Sequence, residues 1–207
     1  IIFNARIIFC NASTVGTTAI LLNSRSKTFP NGLGNGSGEL GHNVMDHHYG
    51  MGVYGKMPGF DDKYYKGRKP VGFYIPRFRN VDGATETKEY LRGFGYQGSI
   101  NRAKNNPEGL IGEELKDELF KPGDYWLYMT AFGEILPNHE NKMFLNFEKK
   151  DKHGIPMITF DAALRENELK MRTDAVKCAV EMHEAAGCEN IGSYNNETAP
   201  GACIHEM

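Results

Sequence analysis

The sequence predicts an α+β protein: an antiparallel β-sheet domain with flanking helices, joined to a strand–helix remnant of an α/β domain. Three observations predict it. Aromatic segments bent by glycine recur between residues 50 and 160 with the period of strands. A single long amphipathic run follows at 168–186. The first 24 residues read as apolar strand, small-residue turn and helix, the connection used in open α/β sheets.

Residues 1–10, IIFNARIIFC, are rich in Ile and Phe and predict a strand buried on both faces. Asn11-Ala12-Ser13-Thr14 follows as a turn, then a helix from Val15 to Asn23. Small residues in such a turn suit the close approach of a cofactor, and equally a plain tight turn. No stretch reads as the glycine fingerprint of a dinucleotide-binding strand–turn–helix. Residues 27–41 form a glycine–asparagine loop without Walker-type spacing.

His42, Asp46, His47 and His48 come next. His42 and Asp46 stand four apart and would share one face of a short helix. Three histidines and a carboxylate within seven residues suit a metal-dependent hydrolase. Polar anchoring of a helix end is the other reading.

From Gly50 the pattern is β. Residues 51–54, 71–75 and 90–96 read as strands, and 55–69 as a connection able to act as a lid. Asn101 to Glu118 is polar and partly helical. Residues 125–132 form the strongest strand, with Trp126, Tyr128, Thr130 and Phe132 on one face and Leu127, Met129 and Ala131 on the other. Turns at 137–141 and at His153-Gly154 predict that residues 142–147 return as its partner and 155–160 as a third strand of one meander. Asn167 is the expected N-cap of the helix over 168–186, and Gly187 its terminator. Leu169, Val176, Ala179, Val180 and Ala186 make its apolar stripe, with His183 a structural or surface residue at the edge. Residues 189–199 read as a polar loop feeding a terminal strand at 200–207.

A formal charge of -2 gives no hint of a nucleic-acid partner, and no apolar run approaches the roughly 20 residues of a membrane helix. Cys10, Cys178, Cys188 and Cys203 show no zinc-ligand spacing and read as reduced thiols. Gln97, just after the aromatic strand, is the candidate amide for a substrate hydroxyl. Trp126, Tyr128, Phe132, Tyr90, Phe94 and Tyr96 would stack on a sugar or polyol ring, or else fill the core; on the first reading a non-catalytic carbohydrate-binding module is a rival function.

Four segments, in order, resemble the glucose–methanol–choline family of flavin oxidoreductases. Residues 10–14 running into 19–24 look like its small-residue turn and Ser-Pro-x-Leu-Leu helix, with Thr17-Thr18 where Ser-Pro is usual. Residues 40–47 are similar to its Gly-x-Asn-Leu-x-Asp-His signature, which accounts for the histidine cluster without a metal. Phe132-Gly133-Glu134 through Phe160-Asp161 look like its substrate-domain meander, most of all in the pyranose-oxidase and gluconate-dehydrogenase branches. Pro200 to Met207 resemble the Pro-Gly strand that leads into the catalytic histidine.

The resemblance implies FAD as cofactor, a small-molecule alcohol or sugar as substrate, and oxidation by hydride transfer with His205 as proton acceptor. It implies Ala12, Ser13 and Asn43 as cofactor-binding residues. It also implies a division into an FAD-domain remnant (1–48), a substrate-binding domain (49–199) and a return strand (200–207). The glycine fingerprint would lie before Ile1 and the second catalytic residue beyond Met207, so the 207 residues alone are not expected to turn over.

Overall fold

The computed structural model describes residues 3–59, 72–104 and 107–197, so the expected return strand with His205 lies outside the described residues. The chain divides into two compact units, one of residues 1–47, 135–164 and 199–207, the other of 48–134 and 165–198.

The larger unit is built on a five-stranded sheet. Its strands are β1 (His47–Met57), β2 (Phe73–Ile75), β3 (Phe94–Lys104), β4 (Pro122–Glu134) and β7 (Glu189–Asn195), in the order β2-β3-β4-β1-β7. β2 pairs antiparallel with β3, β3 with β4, and β1 with β7. The alternation read from β4 sets its faces. Leu127, Met129 and Ala131 are buried, beside Met51, Val53, Phe94 and Tyr96 of the neighbouring strands. The helix α3 (Glu166–Ala185) covers this face with Met171, Ala175, Cys178 and Ala179. Full burial of each large apolar side chain contributes about 1.5–3 kcal/mol, so this one face holds most of the unit's core.

α3 ends as expected, with Gly187 in the left-handed region at φ 77°. Its start differs. Arg165 occupies the N-cap, and its N–H donates to the Glu168 side chain at 2.9 Å. Asn167 instead accepts the Leu91 N–H at 2.7 Å, so a cap-type residue serves a neighbouring loop. The buried stripe also sits further round the helix than the sequence suggests: Leu169 and Ala186 are exposed, while Met171, Ala175 and Cys178 face the sheet.

Three strand expectations change. Tyr90 to Gly93 are not strand, because Asn80 Nδ2 donates to the carbonyls of Tyr90 (3.1 Å) and Arg92 (2.6 Å) and holds a turn there. β3 starts at Phe94 and runs through the polar residues to Lys104, leaving only α2 (Gly112–Phe120) helical. The predicted loop 189–199 contains β7, which takes its hydrogen bonds from β1 rather than from apolar patterning.

The smaller unit holds α1 (Ser13–Asn23) and a hairpin of β5 (Lys142–Lys150) and β6 (Pro156–Asp161). Leu22, Val44, Met143 and Leu145 form its core. The single expected meander is therefore overturned. Among the described strands β5 pairs with β6, as a separate two-stranded sheet, its first residue Lys142 also bridging to His42, and β4 takes β3 and β1 as neighbours. The Asn141 side chain joins the ends of the hairpin, donating to the Ala163 carbonyl and accepting its N–H, both at 3.1 Å. The expected strand at 1–10 is also overturned: residues 3–10 are exposed and irregular, since no strand among the described residues pairs with them.

The spacing G-x-G-x-x-G does occur, at 36–41, 50–55 and 93–98. These lie in a loop, within β1 and at the start of β3, so none joins a strand to a helix as a dinucleotide fingerprint must. No described helix is long and apolar enough to cross a membrane.

Candidate functional site

The face of the five-stranded sheet opposite α3 carries exposed side chains, Tyr54, Tyr74, Gln97 and Tyr128 among them, and their neighbours follow from the register. Directly opposed residues of an antiparallel pair share a face. Tyr74 opposes Gln97, Gln97 opposes Thr130, and Gly52 opposes Tyr194. The first three positions form a row on β2, β3 and β4, and the last two continue it on β1 and β7 through a side-chain contact. The Thr130 and Tyr194 hydroxyls meet at 2.7 Å. Gly52 makes that contact possible, because a Cβ there would come within 2.5 Å of Tyr194 Oη.

Aromatic rings flank the polar row. On one side Tyr54 lies 6.1 Å from Trp126 and 6.4 Å from Tyr128, ring centre to ring centre. On the other, Tyr49 stacks with Phe132 at 6.5 Å. Tyr74, Tyr128 and Tyr54 are 64%, 44% and 38% exposed, large values for rings on a sheet. Exposed rings beside hydroxyl and amide groups can pack on the C–H faces of a hydroxylated ligand while hydrogen-bonding its oxygens. Gln97 therefore stands, exposed, among the side chains the sequence assigned to one face of β4. Tyr90, Phe94 and Tyr96 take the core alternative instead, all three being buried.

The α3 side of the sheet is structural. His183 is buried, with Nδ1 2.8 Å from the Ala179 carbonyl and Nε2 3.3 Å from that of Leu127. Asp174 accepts from Tyr90 Oη at 2.6 Å and from Arg79 Nε at 2.9 Å, and burial pushes the Cys178 thiol beside them up. A cleft of about 590 Å³ opens next to this network, but its Arg79, Lys170 and Lys177 are paired with Asp174, Glu166 and Glu181. Burial, reinforced by the Arg172 charge, lowers the His48 pKa from 6.5 to about 3, and among the described residues neither ring nitrogen has a hydrogen-bond partner.

The histidine cluster does not converge. Residues 40–46 are not helical, so His42 and Asp46 share no helix face. His42 stacks on His139 at 3.9 Å and bonds its carbonyl through Nδ1, Asp46 accepts the His47 N–H at 2.6 Å, and His48 is buried in the sheet unit. Among the described residues no three His, Cys, Asp or Glu side chains are placed to hold a metal, which removes the geometric basis for the hydrolase reading.

Ala12, Ser13 and Asn43 belong to the smaller unit. Ala12 and Ser13 stand at the start of α1, which has no side-chain cap and no acidic residue in its first turn. Ser13 and Asn43 both adopt left-handed backbone, at φ 62° and 60°. Reading the sequence alone missed Gly52 and Tyr194. The alternation Ile191-Gly192-Ser193-Tyr194, with Ile191 turned to the core, was the available signal.

No family profile matches the chain. Among characterised proteins it is 27% identical over 192 residues to the 2-methyl-1,2-propanediol dehydrogenase of Mycolicibacterium austroafricanum, covering 89% of this chain and 34% of that protein. It is 27% identical over 154 residues to the fructose dehydrogenase large subunit of Gluconobacter japonicus, covering 72% of this chain and 28% of that protein. The chain thus spans about a third of the length of these relatives. The similarity is to dehydrogenases, oxidoreductases whose names specify an alcohol and a sugar.

Proposed function

We propose that this chain supplies the substrate-facing sheet and part of the cofactor-facing region of an FAD-dependent oxidoreductase of the glucose–methanol–choline type, which oxidises an alcohol or sugar CH–OH group to a carbonyl. The exposed polar and aromatic face of the sheet carries this reading, and the similarity to two dehydrogenases supports it.

FAD, when bound, would supply the hydride acceptor. His205 would take the hydroxyl proton of the substrate, a task suited to a neutral imidazole. Gln97 holds a second oxygen of the substrate. Ala12 and Ser13 contact the cofactor from the start of α1, where the absence of acidic side chains suits an anionic group. The left-handed backbone at Ser13 and Asn43 is of the kind that persists where surrounding structure over-determines it, as at ligand sites. The functional division follows as 1–48 for the cofactor side, 49–199 for the substrate side and 200–207 for the catalytic return strand.

The test is anaerobic flavin reduction by an alcohol or sugar in the whole protein. His205→Ala should slow reduction by roughly 10²–10⁴-fold with flavin content unchanged. Purification of the whole protein without flavin, or reduction at the wild-type rate after His205→Ala, would overturn the reading.

A further inference from the structure

Tyr194 and Thr130 lie on strands that are not neighbours, since β1 runs between β4 and β7. Their hydroxyls nevertheless meet at 2.7 Å, across the one position of β1 in that row that has no side chain. Gln97 continues the row on β3, opposite Thr130, with its side chain exposed. Both hydroxyl-bearing residues are half-buried, so the pair is held by the sheet yet reachable from its open face.

We propose that the Tyr194–Thr130 hydroxyl pair, with Gln97 beside it, is a subsite for a vicinal diol of the substrate, making the enzyme selective for polyols or sugars over simple alcohols. The inference rests on the alcohol-oxidising function proposed above. Within the pair one hydroxyl donates to the other, which leaves one O–H and several lone pairs unused. The two oxygens of a gauche vicinal diol stand about a hydrogen-bond length apart, matching the pair. One substrate hydroxyl can then accept the unused O–H while its neighbour donates to the opposite oxygen, so each partner closes the other's hydrogen bonds. A lone hydroxyl satisfies only one side at a time. The Gln97 amide offers a donor and an acceptor to a further hydroxyl, and the Tyr54 and Tyr128 rings give the carbon skeleton an apolar surface. Discrimination follows because a ligand without the diol leaves desolvated hydroxyls unpaired.

The experiment compares glycerol with 1-propanol, which share a primary carbinol and differ in the adjoining diol. In the flavin-loaded protein, the ratio of kcat/KM for glycerol over 1-propanol should fall about tenfold or more in Tyr194→Phe and in Thr130→Val. Thr130→Ser should keep the ratio, and in Tyr194→Phe and Thr130→Val the loss on glycerol should exceed any loss on 1-propanol. An unchanged ratio in folded Tyr194→Phe, or equal losses on both alcohols, would overturn the subsite. If neither alcohol reduces the flavin, the proposed reaction is what fails, and saturation transfer from protein to glycerol decides the subsite separately. A signal in the wild type that Tyr194→Phe loses supports it; equal signals, or none in either, overturn it.

Discussion

Arg172 Nε donates to Asn195 Oδ1 at 2.6 Å, joining the N-terminal half of α3 to the end of the edge strand β7. The same buried guanidinium donates to the carbonyls of Tyr49 at 2.8 Å, Gly50 at 3.1 Å and Asn196 at 2.8 Å. Burial lowers its pKa, because these neutral acceptors replace water only in part. One cation thus ties helix, β1 and β7 together.

Arg172→Lys is expected to be destabilising despite keeping the charge. A lysine ammonium cannot reproduce the planar fork that reaches four acceptors. The part-buried acceptors left without a donor cost up to about 1–3 kcal/mol each. Urea denaturation should show a loss of at least about 2 kcal/mol, and faster amide exchange should appear first in β7.

His48 makes the sheet unit acid-sensitive. Its pKa is about 3 in the folded chain against the ordinary 6.5, so the unfolded chain binds the extra proton between those values. Stability is therefore full above about pH 6.5 and declines as the pH falls towards 3, by at most about 1.4 kcal/mol per pH unit. In His48→Phe the slope of unfolding free energy against pH between 4 and 6 should become shallower. An unchanged slope would show that another group controls it.

His183→Ala separates folding from chemistry. Its buried ring lies between carbonyls of α3 and β4, so truncation leaves a cavity and an unpaired acceptor. A loss of about 2–4 kcal/mol is expected in thermal or denaturant unfolding. Below the transition, flavin reduction in His183→Ala should stay close to wild type, in contrast to His205→Ala.

Gly52→Ala should disturb the open face through a single methyl group. The added carbon would collide with the Met129 carbonyl and with the Tyr194 ring. A cost of about 1–3 kcal/mol is expected, with the ring resonances of Tyr194 shifted in an NMR spectrum. Gly36→Ala is the control: nothing lies within 4 Å of its Cβ position, so its stability should be equal to or slightly above wild type.

The alternation in residues 125–132 was enough to place Trp126, Tyr128, Thr130 and Phe132 on one face and Leu127, Met129 and Ala131 on the other, because side chains along a strand alternate whatever its neighbours are. A helix-like run from Val15 to Asn23 likewise marked α1, and an apolar stripe with a terminal glycine marked α3. Of the pairings, β5 with β6 across the turn at His153-Gly154 was legible, and those that build the five-stranded sheet were not. β7 carries few apolar residues and is a strand because β1 offers it backbone hydrogen bonds, while β5 leaves β4 for β6 because a hairpin turn makes that partner the nearer one. The candidate site divides along the same line. Sequence alone singled out Gln97 and the exposed face of β4, since both depend on residue type and local period. Tertiary structure alone decided that Tyr194 reaches across Gly52 to Thr130, because that contact joins residues 64 positions apart through a space defined by a missing side chain.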